Sequence, residues 1–314
     1  MSPEPSDIPQ GYLPPDDAYR QAMRFTLEND PLVNDSQGGI SGWFSKIIAL
    51  LSRSGKTLLP LFAVTMFAPT VVVSFLSGAG GLALTNLDSR LAPPPAELFA
   101  GAAVIAVFLG FIGTVLQMMG FAGATYIATR EAAGMSVRWT EGMRYGLRRG
   151  MGLLGWYILT ALAVGIPLIL IISCLFSAAS FLAIVVAVPL VVFAALATAM
   201  VGPAYLFERG NALGRSFRLF RGAAARMTGR LLLVGLVYLV VSGAEQMLAL
   251  IPPALIPTAM PQSPLQYGAQ FAVALLTSGV QALGLMIVFA GILVTYAERR
   301  GDEGSLTPDL VDQL

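Results

Sequence analysis

The chain has 314 residues, of which 56% are hydrophobic and 12% are charged, with a formal net charge of +1 and a mean hydropathy of +0.73. This composition excludes an ordinary soluble globular domain and is typical of integral membrane proteins. The sequence has no His and one Cys, Cys174, which excludes an intramolecular disulfide framework and removes the commonest catalytic base and metal ligand. We therefore expect a protein that is not an enzyme and that holds neither a metal nor a cofactor.

The first 40 residues are rich in proline and acidic side chains. They lack the basic start and early apolar run of a secretory signal. Such a segment buries too little apolar surface to fold alone, so the sequence predicts a disordered cytoplasmic tail over residues 1–40. Residues 301–314, after the last apolar run, form a second cytoplasmic tail.

Six apolar runs between these tails are long enough to cross a membrane. A transmembrane helix needs about 20 apolar residues, because each residue adds about 1.5 Å and the hydrocarbon core is about 30 Å thick. The even-numbered runs are longer than the odd-numbered ones, and this alternation indicates a repeat. The predicted spans are residues 57–77, 98–129, 151–173, 178–207, 231–251 and 268–297.

The basic residues are distributed asymmetrically about these spans. Of the 19 Lys and Arg residues, Arg90 alone lies in a connection on the second side of the membrane. Because Lys and Arg concentrate in cytoplasmic segments, both termini are predicted to be cytoplasmic. Seventeen of the basic residues are Arg, a usage that favours a GC-rich bacterial genome and hence a bacterial plasma (inner) membrane.

The chain contains three copies of one pattern. Each short span follows a basic amphipathic stretch, and each long span ends in a Tyr about one turn before a charge cluster. The sequence therefore predicts an all-α, polytopic membrane protein with six transmembrane helices, arranged as three tandem hairpins that are each led by an amphipathic interfacial helix. The amphipathic stretches are residues 43–56, 139–150 and 213–230, and the tyrosines are Tyr126, Tyr205 and Tyr296.

Two of the amphipathic stretches carry a resemblance to a known family. They read ALGRSFRLFRG from Ala212 to Gly222, continuing into Arg230-Leu231-Leu232-Leu233, and GMRYGLRRG from Gly142 to Gly150. In these segments the chain resembles the membrane domain found attached to bacterial glycerophosphodiester phosphodiesterases and related six-span membrane proteins. The resemblance covers roughly residues 41–301 and implies the six-span fold. Relatives with a hydrolytic arm carry it as a separate soluble domain that uses acidic and His residues, so the resemblance implies no hydrolysis by this chain.

Glu245 is the one ionisable residue well inside a predicted span, and Gln246 follows it. An acid at membrane depth is costly, so it indicates a substrate or proton site, with a hydrogen-bonded structural acid as the alternative. Gln117, Gln270 and Gln281 lie in other spans, where they either approach Glu245 or pair helices.

Two arginine clusters are candidates for binding anionic lipid headgroups. Each charge contributes on the order of 1 kcal/mol near a negatively charged leaflet, although membrane orientation alone also explains such clusters. Because membrane proximity accounts for the charge, we expect no nucleic-acid partner. The clusters are Arg144, Arg148 and Arg149 in one amphipathic stretch, and Arg215, Arg218 and Arg221 in another.

Regularly spaced glycines offer flat helix faces that either pack within the chain or form a dimer interface. These are Gly142, Gly146 and Gly150, and in the second span Gly110, Gly113, Gly120 and Gly123.

The sequence therefore favours an integral plasma-membrane protein that handles lipids or serves as a scaffold or accessory component. Its expected partners are membrane lipids, together with either another membrane protein or a second copy of the chain. The alternative is a secondary transporter or permease in which Glu245 titrates or binds the substrate.

Overall fold

The computed structural model describes residues 29–34, 38–76, 96–178, 180–249 and 264–314. Within these ranges the chain is almost entirely helical and forms no strand. Helix α1 is Gly39–Leu76, with a π-helical turn at Ala63–Phe67, and α3 begins at Trp139, is π-helical over Ala161–Gly165 and ends at Ala178. The others are α2 (Ala96–Ala132), α4 (Ser180–Thr198), α5 (Val201–Glu208), α6 (Ala212–Gly222), α7 (Ala224–Ala249), α8 (Pro264–Gly301) and α9 (Thr307–Gln313).

Six helical stretches of the described residues are long and apolar enough to cross a membrane. They are α1, α2, α3, the pair α4 and α5, α7, and α8. This confirms the predicted all-α membrane fold with six candidate transmembrane helices. In chain order, α2 packs against α1 and α3, α4 and α5 pack against α3, and α7 packs against α8, which returns to α1.

The amphipathic leads join their spans in two different ways. The first two continue into α1 and α3 without a break, because neither contains a residue that interrupts the helical hydrogen bonds. The third, predicted over residues 213–230, is divided at Ala223, whose backbone leaves the helical region with φ −149° and ψ 41°. Its first part is the separate helix α6, capped by Asn211, and residues 224–230 begin α7. The third lead is therefore interrupted before its span, unlike the first two.

The first half of α1 nevertheless lies across its neighbour α8. Trp43 Nε1 donates a hydrogen bond to Thr295 Oγ1 at 3.0 Å, and the Phe62 and Phe289 ring centres are 6.0 Å apart. The two α1 residues are 19 positions apart and their α8 partners six, which correspond to about 28 Å and about 9 Å of straight helix. The first half of α1 therefore crosses α8 at an angle and does not run alongside it.

The buried core lies at one end of the bundle, called here the arginine-rich end because Arg130, Arg230 and Arg299 mark it. Within α2, Ile127 is fully buried, whereas Val107, nearer the start of the helix, is 73% exposed. Helices α3 and α7 show the same gradient. The helices thus pack closely at the arginine-rich end and expose apolar side chains, suited to lipid contact, towards the opposite end.

Glycines bring α2 and α3 into close contact inside the core. A Cβ added at Gly123 would lie 2.6 Å from the Gly142 carbonyl oxygen, and one at Gly146 would collide with the Met119 carbonyl oxygen. Gly110 and Gly113, in contrast, have nothing within 4 Å of an added Cβ among the described atoms. The glycine face of α3 therefore packs within the chain, as one of the two alternatives predicts.

The predicted disordered tail over residues 1–40 does not hold for its last part. Residues 1–28 lie outside the described residues, but Asp30, Leu32 and Val33 are buried against the arginine-rich end. Their burial has a physical cause, since Val33 occupies the space left by the missing side chain of Gly301. The second tail folds back as well, through α9, whose Leu310 joins the core.

Candidate functional site

An apolar groove of about 570 Å³ lies between α3, α4 and α6. The α3 segment around Pro167 and the α4 segment around Phe193 line the groove. Leu213 and Phe217 of α6 complete the lining. The volume falls within the range of about 300 to 1,000 Å³ that is typical of small-molecule sites. We call it the α6 groove.

Small side chains keep the α6 groove open. Ala163, Ala194 and Ala197 line it, and the Phe193 and Phe217 rings lie edge to face with centres 6.4 Å apart. Asn211 also lines it, and its side-chain oxygen accepts a hydrogen bond from the Gly214 N–H at 2.9 Å. The groove is thus an apolar channel with a few polar groups, chiefly where α6 begins.

One face of α6 belongs to an ion-pair network. Arg215 Nε lies 2.6 Å from Glu208 Oε2, and its guanidinium also contacts Glu303. Burial acts to lower the pKa of Arg215, but hydrogen bonds to Glu303 and Glu208 outweigh it and raise the pKa above the ordinary value. Because two carboxylates already neutralise Arg215, its predicted contact with lipid does not fit this geometry.

The face of α6 that lines the groove carries the other two arginines. Arg221 follows Phe217 by four residues and Arg218 follows Gly214 by four, and positions four apart share a helix face. Both arginines are exposed, and neither forms an ion pair with a residue of the described ranges. Neither arginine lines the groove itself; both follow Phe217, the last α6 residue of its lining, and are exposed, so they are available to an anion beside the groove.

The other predicted cluster lies at the start of α3. Arg144 and Arg148 are exposed and Arg149 is half-buried, and none of them pairs with an acidic residue in the part of the chain that the structure describes. These arginines flank Tyr145, which stacks on Tyr126 of α2 with ring centres 4.8 Å apart. None of the three lines the α6 groove.

Sequence reasoning missed the acidic residues that pair with arginines at the end of α8. Arg230 of α7 forms a buried ion pair with Glu298, and Asp302 lies 3.3 Å from Arg226 and 2.5 Å from Arg299. The available signal was the run of acids among the arginines after the sixth span. Without the fold, these charges look like membrane-boundary markers only.

The predicted site residue Glu245 lies in a polar cavity of about 280 Å³, called here the Glu245 cavity. Its walls come from α1, α7 and α8, which contribute Ser74, Gln246 and Gln270 beside Glu245. Glu245 is 15 residues beyond Arg230, or about 22 Å along α7, so the cavity lies towards the end opposite the arginine-rich end.

The structure separates the predicted glutamine partners of Glu245. Gln270 shares the cavity with it, whereas Gln117 and Gln281 are not part of its lining. Glu245 forms no ion pair with a residue of the described ranges. The cavity thus brings together one carboxylate, two amides and the hydroxyls of Ser74 and Thr277.

Among the described residues, no group of three or more His, Cys, Asp or Glu side chains is arranged to hold a metal ion. Cys174 is exposed in α3. Comparison of the chain with protein-family models, with curated proteins and with solved structures finds no match. The resemblance to the phosphodiesterase-associated membrane domain therefore stays a prediction.

Proposed function

We propose that this multi-pass membrane protein binds an anionic lipid without acting as an enzyme. An acyl chain would occupy the α6 groove, and the headgroup would meet Arg218 and Arg221. The observation that carries the proposal is the pairing of an apolar channel of about 570 Å³ with two exposed arginines on the helix that lines it. Each element alone is common in membrane proteins, but their convergence on α6 suits a lipid with one charged end.

The electrostatics of α6 support this assignment. Arg215 is neutralised by Glu208 and Glu303, so the remaining positive charge of the helix lies with Arg218 and Arg221. The proposed setting is a bacterial plasma membrane with the arginine-rich end and both termini in the cytoplasm. There, the anionic leaflet would attract each exposed arginine by about 1 kcal/mol.

The test is native mass spectrometry of the full chain, extracted from vesicles that contain phosphatidylglycerol and phosphatidylcholine. Phosphatidylglycerol is expected to remain bound in fixed ratio. A194F, which fills the groove, should abolish retention, whereas A195F, which adds the same ring one position away on α4, should leave it unchanged.

The arginines are tested separately from the groove. R218Q/R221Q should reduce phosphatidylglycerol retention by about tenfold, because two charge-assisted contacts are lost. The matched control is R226Q, whose arginine pairs with Asp302. If R144Q/R148Q reduces phosphatidylglycerol retention and R218Q/R221Q does not, the α6 groove is rejected as the site.

A secondary transporter that uses Glu245 is the alternative function. Its cavity shares no lining residue with the α6 groove. Coupled uptake that is lost in E245Q but kept in A194F would favour the transporter over the lipid-binding function.

A further inference from the structure

We propose that the Glu245 cavity binds a primary ammonium group, ion-paired to Glu245 and held by the side-chain oxygens of Gln246 and Gln270. This inference does not rest on the α6 groove, which lies between other helices and shares no lining residue with the cavity.

The lining of the cavity calls for a ligand that donates hydrogen bonds. A carboxylate only accepts, and each glutamine adds an amide oxygen that accepts. The Thr277 hydroxyl already donates its hydrogen to the Val273 carbonyl oxygen at 2.9 Å. Towards a ligand, this hydroxyl can therefore only accept a hydrogen bond. A primary ammonium carries three N–H donors and no acceptor, and it therefore matches this lining.

The charge of the ligand follows from the position of Glu245. The carboxylate is half-buried in a helix of transmembrane length, and among the described residues no Lys or Arg side chain lines the cavity. A carboxylate removed from bulk water is costly unless a cation compensates it. A cationic ligand supplies that compensation.

The size and walls of the cavity limit what is attached to the ammonium. A volume of about 280 Å³ lies just below the usual range for ligand sites, so the ammonium comes with only a few further atoms in the cavity. Val273 and Ala274 provide an apolar wall for the adjacent carbon atoms, and the amide N–H groups of Gln246 and Gln270 are left to donate to a neighbouring oxygen. An aminoethyl group that bears an oxygen fits these features, and it occurs both in soluble amines and in phosphatidylethanolamine headgroups.

The direct test uses the full chain in phosphatidylcholine nanodiscs, titrated with ethanolamine by calorimetry. Replacing Glu245 with the isosteric Gln removes the ion pair, so E245Q should weaken ethanolamine binding by about tenfold or more. The control E141Q removes a carboxylate at the exposed start of α3 and should leave binding unchanged. Choline, which lacks N–H donors, should bind at least about tenfold more weakly than ethanolamine.

A second arm identifies the source of the ammonium. In nanodiscs that contain phosphatidylethanolamine, native mass spectrometry records whether this lipid is retained in fixed ratio, again in the chain with Glu245 and in E245Q. Retention of the lipid without binding of free ethanolamine supports a lipid headgroup, and binding of free ethanolamine supports a soluble amine. Failure of both, or binding that E245Q does not change, overturns the proposal.

A second variant distinguishes a loss of the binding site from a general loss of folding in E245Q. Q270L removes one acceptor and keeps the carboxylate, and it should weaken binding while the unfolding temperature remains that of the unmodified chain. Because A194F leaves the Glu245 cavity intact, loss of phosphatidylglycerol from A194F with normal ethanolamine binding separates the two sites.

Discussion

Asp30 and Thr307, 277 residues apart in the chain, are joined by two hydrogen bonds at the arginine-rich end of the bundle. The Thr307 backbone N–H donates to Asp30 Oδ2 at 2.7 Å, and its hydroxyl donates to Oδ1 at 2.6 Å. Oδ1 also accepts from the backbone N–H groups of Leu32 and Val33. One carboxylate therefore caps the start of α9 and shapes the segment that leads to α1.

Replacing Asp30 with Ala should loosen residues 29–34 and α9 from the bundle. The variant loses the acceptor for the first N–H of α9, and the loss of such a cap costs about 1 to 2 kcal/mol of local stability. Hydrogen exchange of residues 307–313 should accelerate by about tenfold, with exchange in the middle of α8 unchanged. D312A, on the exposed side of α9, is the control, and equal exchange in both variants would contradict the capping role.

The contact between α2 and α3 should be sensitive to a single methyl group. In G146A the new Cβ collides with the Met119 carbonyl oxygen, a backbone atom that cannot rotate away. We expect a loss of about 1 to 3 kcal/mol, as for other overpacked interiors. Thermal unfolding in detergent measures it. G155A, on the same helix with nothing within 4 Å of its Cβ, should match or slightly exceed the stability of the unmodified chain.

The buried ion pair between Arg230 and Glu298 should make a large contribution to the free energy of unfolding. Their side chains are 7% and 2% exposed, so E298Q leaves the Arg230 charge buried without its partner. Such a loss costs about 3 kcal/mol, whereas R226Q, which breaks the more exposed contact with Asp302, should cost under about 1 kcal/mol. Denaturant unfolding of the two variants compares these costs, and equal values would show that burial does not govern this network.

The network should also make stability depend on pH. Burial acts to raise the pKa of Glu303, but hydrogen bonds from Arg215 and Arg300 outweigh it and hold the pKa below its usual value. A group with a lowered folded-state pKa stabilises the protein above its unfolded-state pKa, and this contribution is lost as pH falls through the folded-state pKa. The unfolding temperature should therefore stay nearly constant from neutral pH down to about pH 4.5 and drop as the pH is lowered further. In E303Q the drop should be smaller, and an identical drop would exclude Glu303 as a contributor.

The helices themselves were predictable because long apolar runs and charge asymmetry are local signals. The close packing of α2 on α3 was also signalled, by glycines four residues apart. The docking of residues 29–34 was not, since Leu32 and Val33 form too short an apolar run to indicate burial. That burial depends on Gly301, which is distant from Val33 in the sequence and adjacent to it in the folded chain.

The candidate sites were predictable to a smaller extent. Glu245 stood out because an acid within an apolar run is rare, and Gln270 was one of three amides that could approach it. Spacing alone could not distinguish Arg215 from Arg218 and Arg221, because all three lie within two turns of α6. Their difference comes from Glu208 and Glu303, which only the folded chain brings to one face of that helix.

Helix α6 is attached through Arg215 on one face and lines the groove with the other, so dissolved salt and the proposed lipid would act on the same helix. Salt weakens ion pairs that solvent reaches, such as those of Arg215 with Glu208 and Glu303. If breaking these pairs changes lipid affinity by some factor, reciprocity requires that bound lipid change the stability of the pairs by the same factor. If the α6 groove binds a lipid as proposed, its affinity would depend on ionic strength partly through two carboxylates that do not line it.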